Sequence, residues 1–305
     1  MTIANNAPVS TNQSTAASVA PAVRSELPCV LRWRQNKLWV SSVVRGKDYP
    51  LPALGRPEWF RACLSKSKAE LVCIDPALGT EVISLWAAAC QETEKPLYLR
   101  IPASPYMPAK QKPVAWLVKR VCDRLGALLL LLLLSPLLLA ITGLIKLQGD
   151  GPIIARQWRV GERGRLFQVL NFRTVVSHGG PLPQAGINAP ATPPTLTRLG
   201  HLLKRTHLNK LPLLVNVLRG ELSLVGPHPW AIYETLTLPT ELQTRMHILP
   251  GITGTLQNFA HFPLAHPRLV QRITLQDLHD LGQWSLLKDF RQLTATTLQM
   301  LTITD

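Results

Sequence analysis

Acidic residues are scarce in this 305-residue chain: 18 Asp and Glu stand against 33 Lys and Arg, a net charge of +15. From Arg163 to Gly220 there is none at all, while eight Lys or Arg occur. That stretch supplies neither a carboxylate nucleophile nor a carboxylate metal ligand. Cysteine is sparse too. Cys29, Cys63, Cys73, Cys90 and Cys122 are irregularly spaced without a C-x-x-C pair, which fits neither a disulfide scaffold nor a zinc ribbon. Aromatic residues make up only 6% of the chain and do not interleave with the basic ones. A nucleic-acid protein that stacks bases on aromatic rings is therefore the least favoured class, despite the charge. With 46% apolar residues the chain is neither disordered nor collagenous, and its length allows one or two domains.

The positive charge is unevenly placed. Residues 1–113 carry +6, residues 114–225 carry +10 and residues 226–305 carry −1, so the middle segment attracts anions. Residues 1–27, rich in Ala, Ser, Thr, Asn and Pro, are too polar for a secretory signal and too poor in hydrophobes to pack, and read as a disordered tail. Apolar or alternating runs near 29–34, 38–44, 70–74 and 96–101 predict strands, and 56–66 and 79–91 predict helices between the later ones. Together they predict a small α/β domain over 28–103. Its Asp75, at a strand end before Pro76, is placed either to cap a turn or to meet a ligand. A proline-rich linker over 104–113 follows.

The longest hydrophobic run, Leu125 to Ile145, has no charge over 21 residues and as a straight helix would reach ~32 Å, enough to cross the hydrocarbon core of a bilayer. Two features oppose a simple span. Ser135-Pro136 interrupts its centre, where proline removes a backbone hydrogen bond and bends the helix. Basic residues flank both ends, so both prefer the cytoplasmic side. A helix that enters and leaves one leaflet meets both conditions, with Ser135 helping to satisfy the freed carbonyl, whereas a proline-kinked span meets only the first.

The surrounding motifs resemble the bacterial sugar transferases, the monotopic polyprenyl-phosphate phosphoglycosyl transferases. They are Lys119-Arg120 with Asp123, Ser135-Pro136, GDGPIIARQWRVGERGRLFQVLNFRTV at 149–175, TRLGHLLKRTHLNKLPLLVNVLRGELSLVGPHP at 197–229, PGITG at 250–254 with Gln257, and the later Asp277, Trp284-Ser285-Leu286 and Asp289. The resemblance covers about 114–303. It implies a mainly helical, membrane-associated α+β domain over 114–305 with a re-entrant helix at 125–145, on the cytoplasmic face of the plasma (inner) membrane. It also implies transfer of a sugar phosphate from a nucleotide diphosphate sugar to polyprenyl phosphate in exopolysaccharide or envelope polysaccharide synthesis. Some cyanobacterial members with an added N-terminal α/β domain are associated with the heterocyst envelope polysaccharide. Other partners implied are anionic membrane lipid and other glycan-assembly proteins, with no nucleic acid.

Such a transfer needs cations over the diphosphate, an in-line nucleophile and usually a metal held by carboxylates. Arg156, Arg159, Arg163, Arg165 and Arg173 supply cations, and the bland alternative for each is contact with anionic headgroups. By resemblance Gln157, Arg159 and Arg173 bind substrate phosphate, with Arg205 and Pro227-His228-Pro229 as further candidates. The same resemblance places an Asp nucleophile and a Mg²⁺-binding Glu in an L-D-E-L-P motif, but here those positions are Asn209 and Lys210. Asparagine offers no anionic oxygen and lysine repels Mg²⁺. The Lys of the family's K-F-R-T is Asn171, and the Arg of its P-R-P is His228. Mg²⁺ is thus the family's cofactor and is doubtful here, and no metal ligands are assigned. Neighbouring scaffold residues, among them Gly200, Asn216, Glu221 and Ser223, match the family, so the losses are selective. His207 is the one nearby residue able to attack phosphorus, against the plainer reading of a surface histidine. Two readings follow: a transferase of unusual chemistry, or a catalytically silent relative, a pseudoenzyme candidate that binds lipid, nucleotide sugar or an active partner. Leu196, Leu199, Leu202 and Leu203, interspersed with Arg198, His201, Lys204 and Arg205, also predict a basic amphipathic helix for an anionic membrane surface. A loop is expected over 179–194 and two closing helices over 267–303.

Overall fold

The computed structural model describes residues 29–42, 57–103, 112–149, 151–176, 195–239, 243–254, 289 and 291–294. The tail at 1–27, most of the linker, the loop at 179–194, Gln257, Asp277, Trp284-Ser285-Leu286 and nearly all of 267–303 lie outside them.

The N-terminal portion is an α/β layer. Strands β1 (Cys29–Arg34) and β2 (Lys37–Ser42) form an antiparallel hairpin, and β3 (Leu71–Ile74) and β4 (Leu97–Leu99) add in parallel. The crossovers are α1 (Pro57–Lys66) and α2 (Gly79–Glu92), long enough to return the chain to the same end of the sheet. Val72, Ile74, Ile83 and Trp86 are fully buried between sheet and helices, and Phe60 meets Trp86 edge-on at 4.6 Å. Asp75 caps the turn after β3, its carboxylate accepting from the Ala77 amide at 2.9 Å.

Helices α3 (Pro113–Leu133) and α4 (Ser135–Leu147) follow, bent by 64° at Leu134. The bend has a local cause. Pro136 cannot donate to the Leu132 carbonyl four residues back, and the Ser135 hydroxyl does so instead at 2.8 Å. Among the described residues no single helix is long and apolar enough to cross a membrane, though this bent pair is by length and composition.

Strands β5 (Ile154–Val160) and β6 (Leu166–Phe172) form an antiparallel hairpin whose two faces serve different cores. Trp158, Val160 and Leu166 join the core of the N-terminal sheet, whereas Phe167 and Val169 pack with Ala127 of α3 and Val217 of α6 (Leu213–Leu218). Alternation along each strand produces this division. The hairpin's turn lies against β4. A Cβ on Gly164 would stand 2.3 Å from the Leu99 carbonyl oxygen, so glycine permits the contact. Gln91 and Gln168 exchange amide hydrogen bonds across the same seam, the shorter at 2.9 Å.

Helix α5 (Arg198–Arg205) begins at Thr197, whose hydroxyl accepts from the Gly200 amide at 2.8 Å. Its leucines do not form one outward stripe. Leu199 and Leu203 pack with Ile141, Ile145 and Phe172, while Leu202 is exposed, so packing against the protein's own core takes most of the face expected at the membrane. Asn216 of α6, fully buried, acts like a fragment of strand. Its side-chain oxygen accepts from the Leu170 amide and its nitrogen donates to the Gln168 carbonyl and to Glu221, at 2.7–3.0 Å. The short strands β7 (Ser223–Val225) and β8 (Gly251–Thr253) pair in parallel, with α7 (Ile232–Thr237) between them in the chain.

Candidate functional site

Three segments carry the candidate site: strand β5, the turn at His207–Lys210 and the Pro227-His228-Pro229 segment, with Arg159 and Lys210 near enough to His228 for their charges to act on it. On β5, Gln157 and Arg159 project to one face and Trp158 to the other. The Arg159 guanidinium donates to Gln157 Oε1 at 3.2 Å and to the Trp158 carbonyl at 3.1 Å. Burial lowers its pKa, while the charge of Glu234 on α7 opposes that shift. It remains a cation.

The turn before α6 starts at His207, in the left-handed region at φ 55°, and continues as one 3₁₀ turn over Leu208–Lys210. Asn209 Oδ1 is buried there and has no hydrogen-bond partner among the described residues. Burial also lowers the Lys210 pKa, and no described acidic residue opposes it. The segment carrying His228 is fixed by backbone contacts: Gly251 donates to the Pro227 carbonyl, and Gly226 donates to Thr253, each at 2.9 Å. The His228 ring meets Trp230 edge-on at 5.7 Å. Burial, with the nearby charges of Arg159 and Lys210, pushes its pKa down to about 3, so the imidazole is neutral at physiological pH. The arrangement is thus two half-buried cations, Arg159 and Lys210, whose charges act on a neutral histidine, with an unsatisfied amide oxygen next to Lys210 in the chain.

Chemically this is a place for an anion. Hydrogen-bond donors and positive charge dominate, and the one described acidic group whose charge acts on Arg159, Glu234, is committed to the Ala231 amide at 2.7 Å. No group of three or more His, Cys, Asp or Glu able to hold a metal occurs among the described residues.

Two other arginines of the 156–173 cluster lie on the opposite face of the hairpin. Arg156 and Arg165 line a separate cleft of about 590 Å³ with Lys95 and Arg219, on the side of the hairpin toward the N-terminal sheet. Arg173 is buried and donates to the Gly149 and Ile145 carbonyls at 3.1 and 3.4 Å, holding the end of α4. Arg205 is exposed at the end of α5. Strand alternation could have separated Arg156 from Arg159 in the sequence; the burial of Arg173 carries no such signal. Sequence reasoning also missed Tyr233 and Glu234, which shape the field at Arg159.

A second polar cluster is structural. Lys119, almost fully buried on α3, binds Asp289 at 2.6 Å and lies 3.7 Å from Asp123, which accepts from the Ser223 hydroxyl at 2.7 Å. Arg120 pairs with Glu162 at the hairpin turn. These contacts fix α3 to β7 and to the hairpin, and so place the bent helix pair beside the site.

The short helical turn before a proline, the β-hairpin carrying Gln-x-Arg and the bent apolar helix pair all fall within residues 114–303, which match the family described as "Bacterial sugar transferase". The chain belongs to that family. It is 31% identical over 258 residues to a UDP-glucose:undecaprenyl-phosphate glucose-1-phosphate transferase of Caulobacter vibrioides, covering 76% of this chain and 94% of the relative. It is 32% identical to the exopolysaccharide production protein ExoY of Sinorhizobium fredii, covering 58% of this chain and 83% of the relative. An undecaprenyl-phosphate glucose phosphotransferase of Komagataeibacter xylinus is 37% identical over 57% of this chain, which spans 34% of that longer protein.

Proposed function

We propose that this chain serves exopolysaccharide or envelope-polysaccharide assembly at the cytoplasmic face of the plasma membrane. It binds a nucleotide diphosphate sugar and polyprenyl phosphate, and does not carry the transfer through a phosphoryl-enzyme. The family and its relatives supply the pathway and the substrate classes. The observation that carries the reading is at the turn, where Asn209 and Lys210 stand in place of the resembled Asp-Glu pair. An amide is not a nucleophile toward phosphorus at neutral pH, and no acidic residue occurs between Arg163 and Gly220 to replace it.

The membrane part rests on the bent pair. Leu129, Leu132, Leu133, Leu139 and Leu147 are each at least 66% exposed, an apolar surface fitted to lipid rather than water. The bend and the basic flanks favour entry and exit on one side. Arg156, Arg165 and other surface arginines are available for anionic headgroups.

The test gives detergent-purified protein UDP-glucose, undecaprenyl phosphate and Mg²⁺, with an active family member alongside. The expected result is UDP-glucose binding without transfer of label into the lipid fraction. Lipid-dependent transfer would overturn the silent reading and direct attention to His207 or to direct attack by the lipid phosphate.

A further inference from the structure

We propose that the cleft between the N-terminal sheet and the β5–β6 hairpin binds the phosphate group of an organic ligand, at a site separate from the one that carries Arg159, Asn209 and Lys210. Arg156, Arg165 and Arg219 line it, and its walls come from both portions of the chain.

The fold sets the cleft's shape. Strand β4 and the start of β6 touch through a bridge between Tyr98 and Arg165, and the Gly164 turn lies against the Leu99 carbonyl. The cleft opens beside that contact, with Lys95, Pro96 and Leu97 on one side and Leu166, Phe167 and Gln168 on the other. The amide exchange between Gln91 and Gln168 spans the two sides. Its volume of about 590 Å³ falls in the range of about 300–1,000 Å³ typical of small-molecule sites. Cross-strand pairing decides which hairpin residues reach it. Arg156 stands opposite Leu170 and Trp158 opposite Gln168, so these four share one face, while Gln157 and Arg159 take the other.

Charge decides what the cleft takes. Four cations, Lys95, Arg156, Arg165 and Arg219, line it against two carboxylates, Glu94 and Glu221. Glu221 already accepts from the Asn216 side chain at 2.7 Å. The Lys95 ammonium donates to the Ser67 and Ala69 carbonyls at 2.7 and 2.8 Å and to the Ser67 hydroxyl at 3.1 Å, so it is fixed by neutral groups and its charge stays uncompensated. Arg156, Arg165 and Arg219 enter no ion pair among the described residues. Cations around one hollow repel each other, and an anion between them replaces that repulsion with attraction. Guanidinium forks match phosphate oxygens in particular. Trp158, Leu166 and Leu97, all buried, give the same cleft an apolar wall, which suits an organic body joined to the phosphate. Such a ligand touches both portions of the chain at once and ties the N-terminal sheet to the hairpin whose other face carries Arg159. A soluble phosphate ester and a lipid headgroup share this chemistry.

The experiment measures equilibrium binding of inorganic pyrophosphate, without added metal, to the full-length protein in detergent. We expect Arg156→Ala with Arg219→Ala to weaken it by roughly tenfold or more, and Arg156→Lys with Arg219→Lys to retain most of the affinity. Arg159→Ala, on the other face, should leave it within about twofold. Arg32→Ala with Arg34→Ala removes the same charge from exposed positions on β1 and should also leave it within about twofold, which separates a local site from the field of the whole protein. Arg156 and Arg219 are exposed, and thermal midpoints near the native one show that the variants fold. No pyrophosphate binding to the native protein overturns the proposal. So does a loss in Arg159→Ala but not in the cleft pair, or an equal loss in the cleft and β1 pairs. UDP-glucose binding is read separately, and its absence would count against the proposed function and leave the cleft standing. The same titration in nanodiscs of phosphatidylcholine, with and without phosphatidylglycerol, identifies the source. Competition by phosphatidylglycerol assigns the cleft to a lipid headgroup, and no competition assigns it to a soluble phosphate ester.

Discussion

Acid should destabilise this protein through His228 in a way that isolates the site's electrostatics. Its folded pKa is about 3, against the ordinary 6.5 of an unfolded chain. As pH falls below 6.5 the unfolded state takes up a proton that the folded state refuses, so stability is lost progressively down to about pH 3. At pH 4.5 the two-unit gap corresponds to roughly 3 kcal/mol, and near pH 3 the loss reaches roughly 4 kcal/mol. The groups facing the ring are Arg159 and Lys210, with Tyr233 and Glu234 beyond Arg159. Every carboxylate titrates over the same range, so the informative quantity is the difference between the native protein and His228→Gln. Thermal unfolding at pH 7 and 4.5 should show the native midpoint falling roughly 5–10 °C further than that of the variant. Parallel pH profiles would refute the reasoning, because they would mean that burial and the charges of Arg159 and Lys210 do not act on His228.

The remaining predictions concern the frame. Asn216→Ala removes three side-chain hydrogen bonds and strands the Leu170 amide and the Gln168 carbonyl, so chemical denaturation should show a loss of about 2–4 kcal/mol. Gly200→Ala places a methyl 2.0 Å from the Thr174 carbonyl oxygen, and the shift it forces between α5 and the chain after β6 should cost about 2–3 kcal/mol by the same measurement. Leu129→Asp with Leu133→Asp puts charge on two exposed leucines of α3, at about 2.5–3.5 kcal/mol each inside lipid. Most of that protein should leave the membrane pellet after an alkaline wash, and full retention would contradict a lipid-embedded bend.

The N-terminal strands and helices were legible because their signals are local: β3 is a continuous apolar run, and α2 carries a helical period ahead of a turn. Ser135 as partner for the carbonyl freed by Pro136 was legible for the same reason, since both lie within one turn of helix. The arginine cluster was not. Five arginines within 18 residues suggest one cradle, but strand alternation turns Arg156 away from Arg159, and Arg173 is drawn to the end of α4. The leucines of α5 have the period of a membrane-facing stripe, and periodicity does not say which surface they meet. The partial burial of Lys210 and the neutrality of His228 depend on segments far apart in the chain, and local sequence carries no trace of either. The substitutions at 171, 209, 210 and 228 are visible only as departures from a pattern.

Asn209 and Lys210 leave the turn at 207–210 without a carboxylate nucleophile, and in the proposed function no residue there takes up a sugar phosphate. Intact-protein mass spectrometry tests this most directly, after incubation of the native protein with UDP-glucose and Mg²⁺ and comparison with an active family member treated alike. The account predicts a native mass unchanged while the active relative gains a sugar-phosphate adduct. An adduct on the native protein, mapped to His207 or any other residue of the pocket, would contradict it.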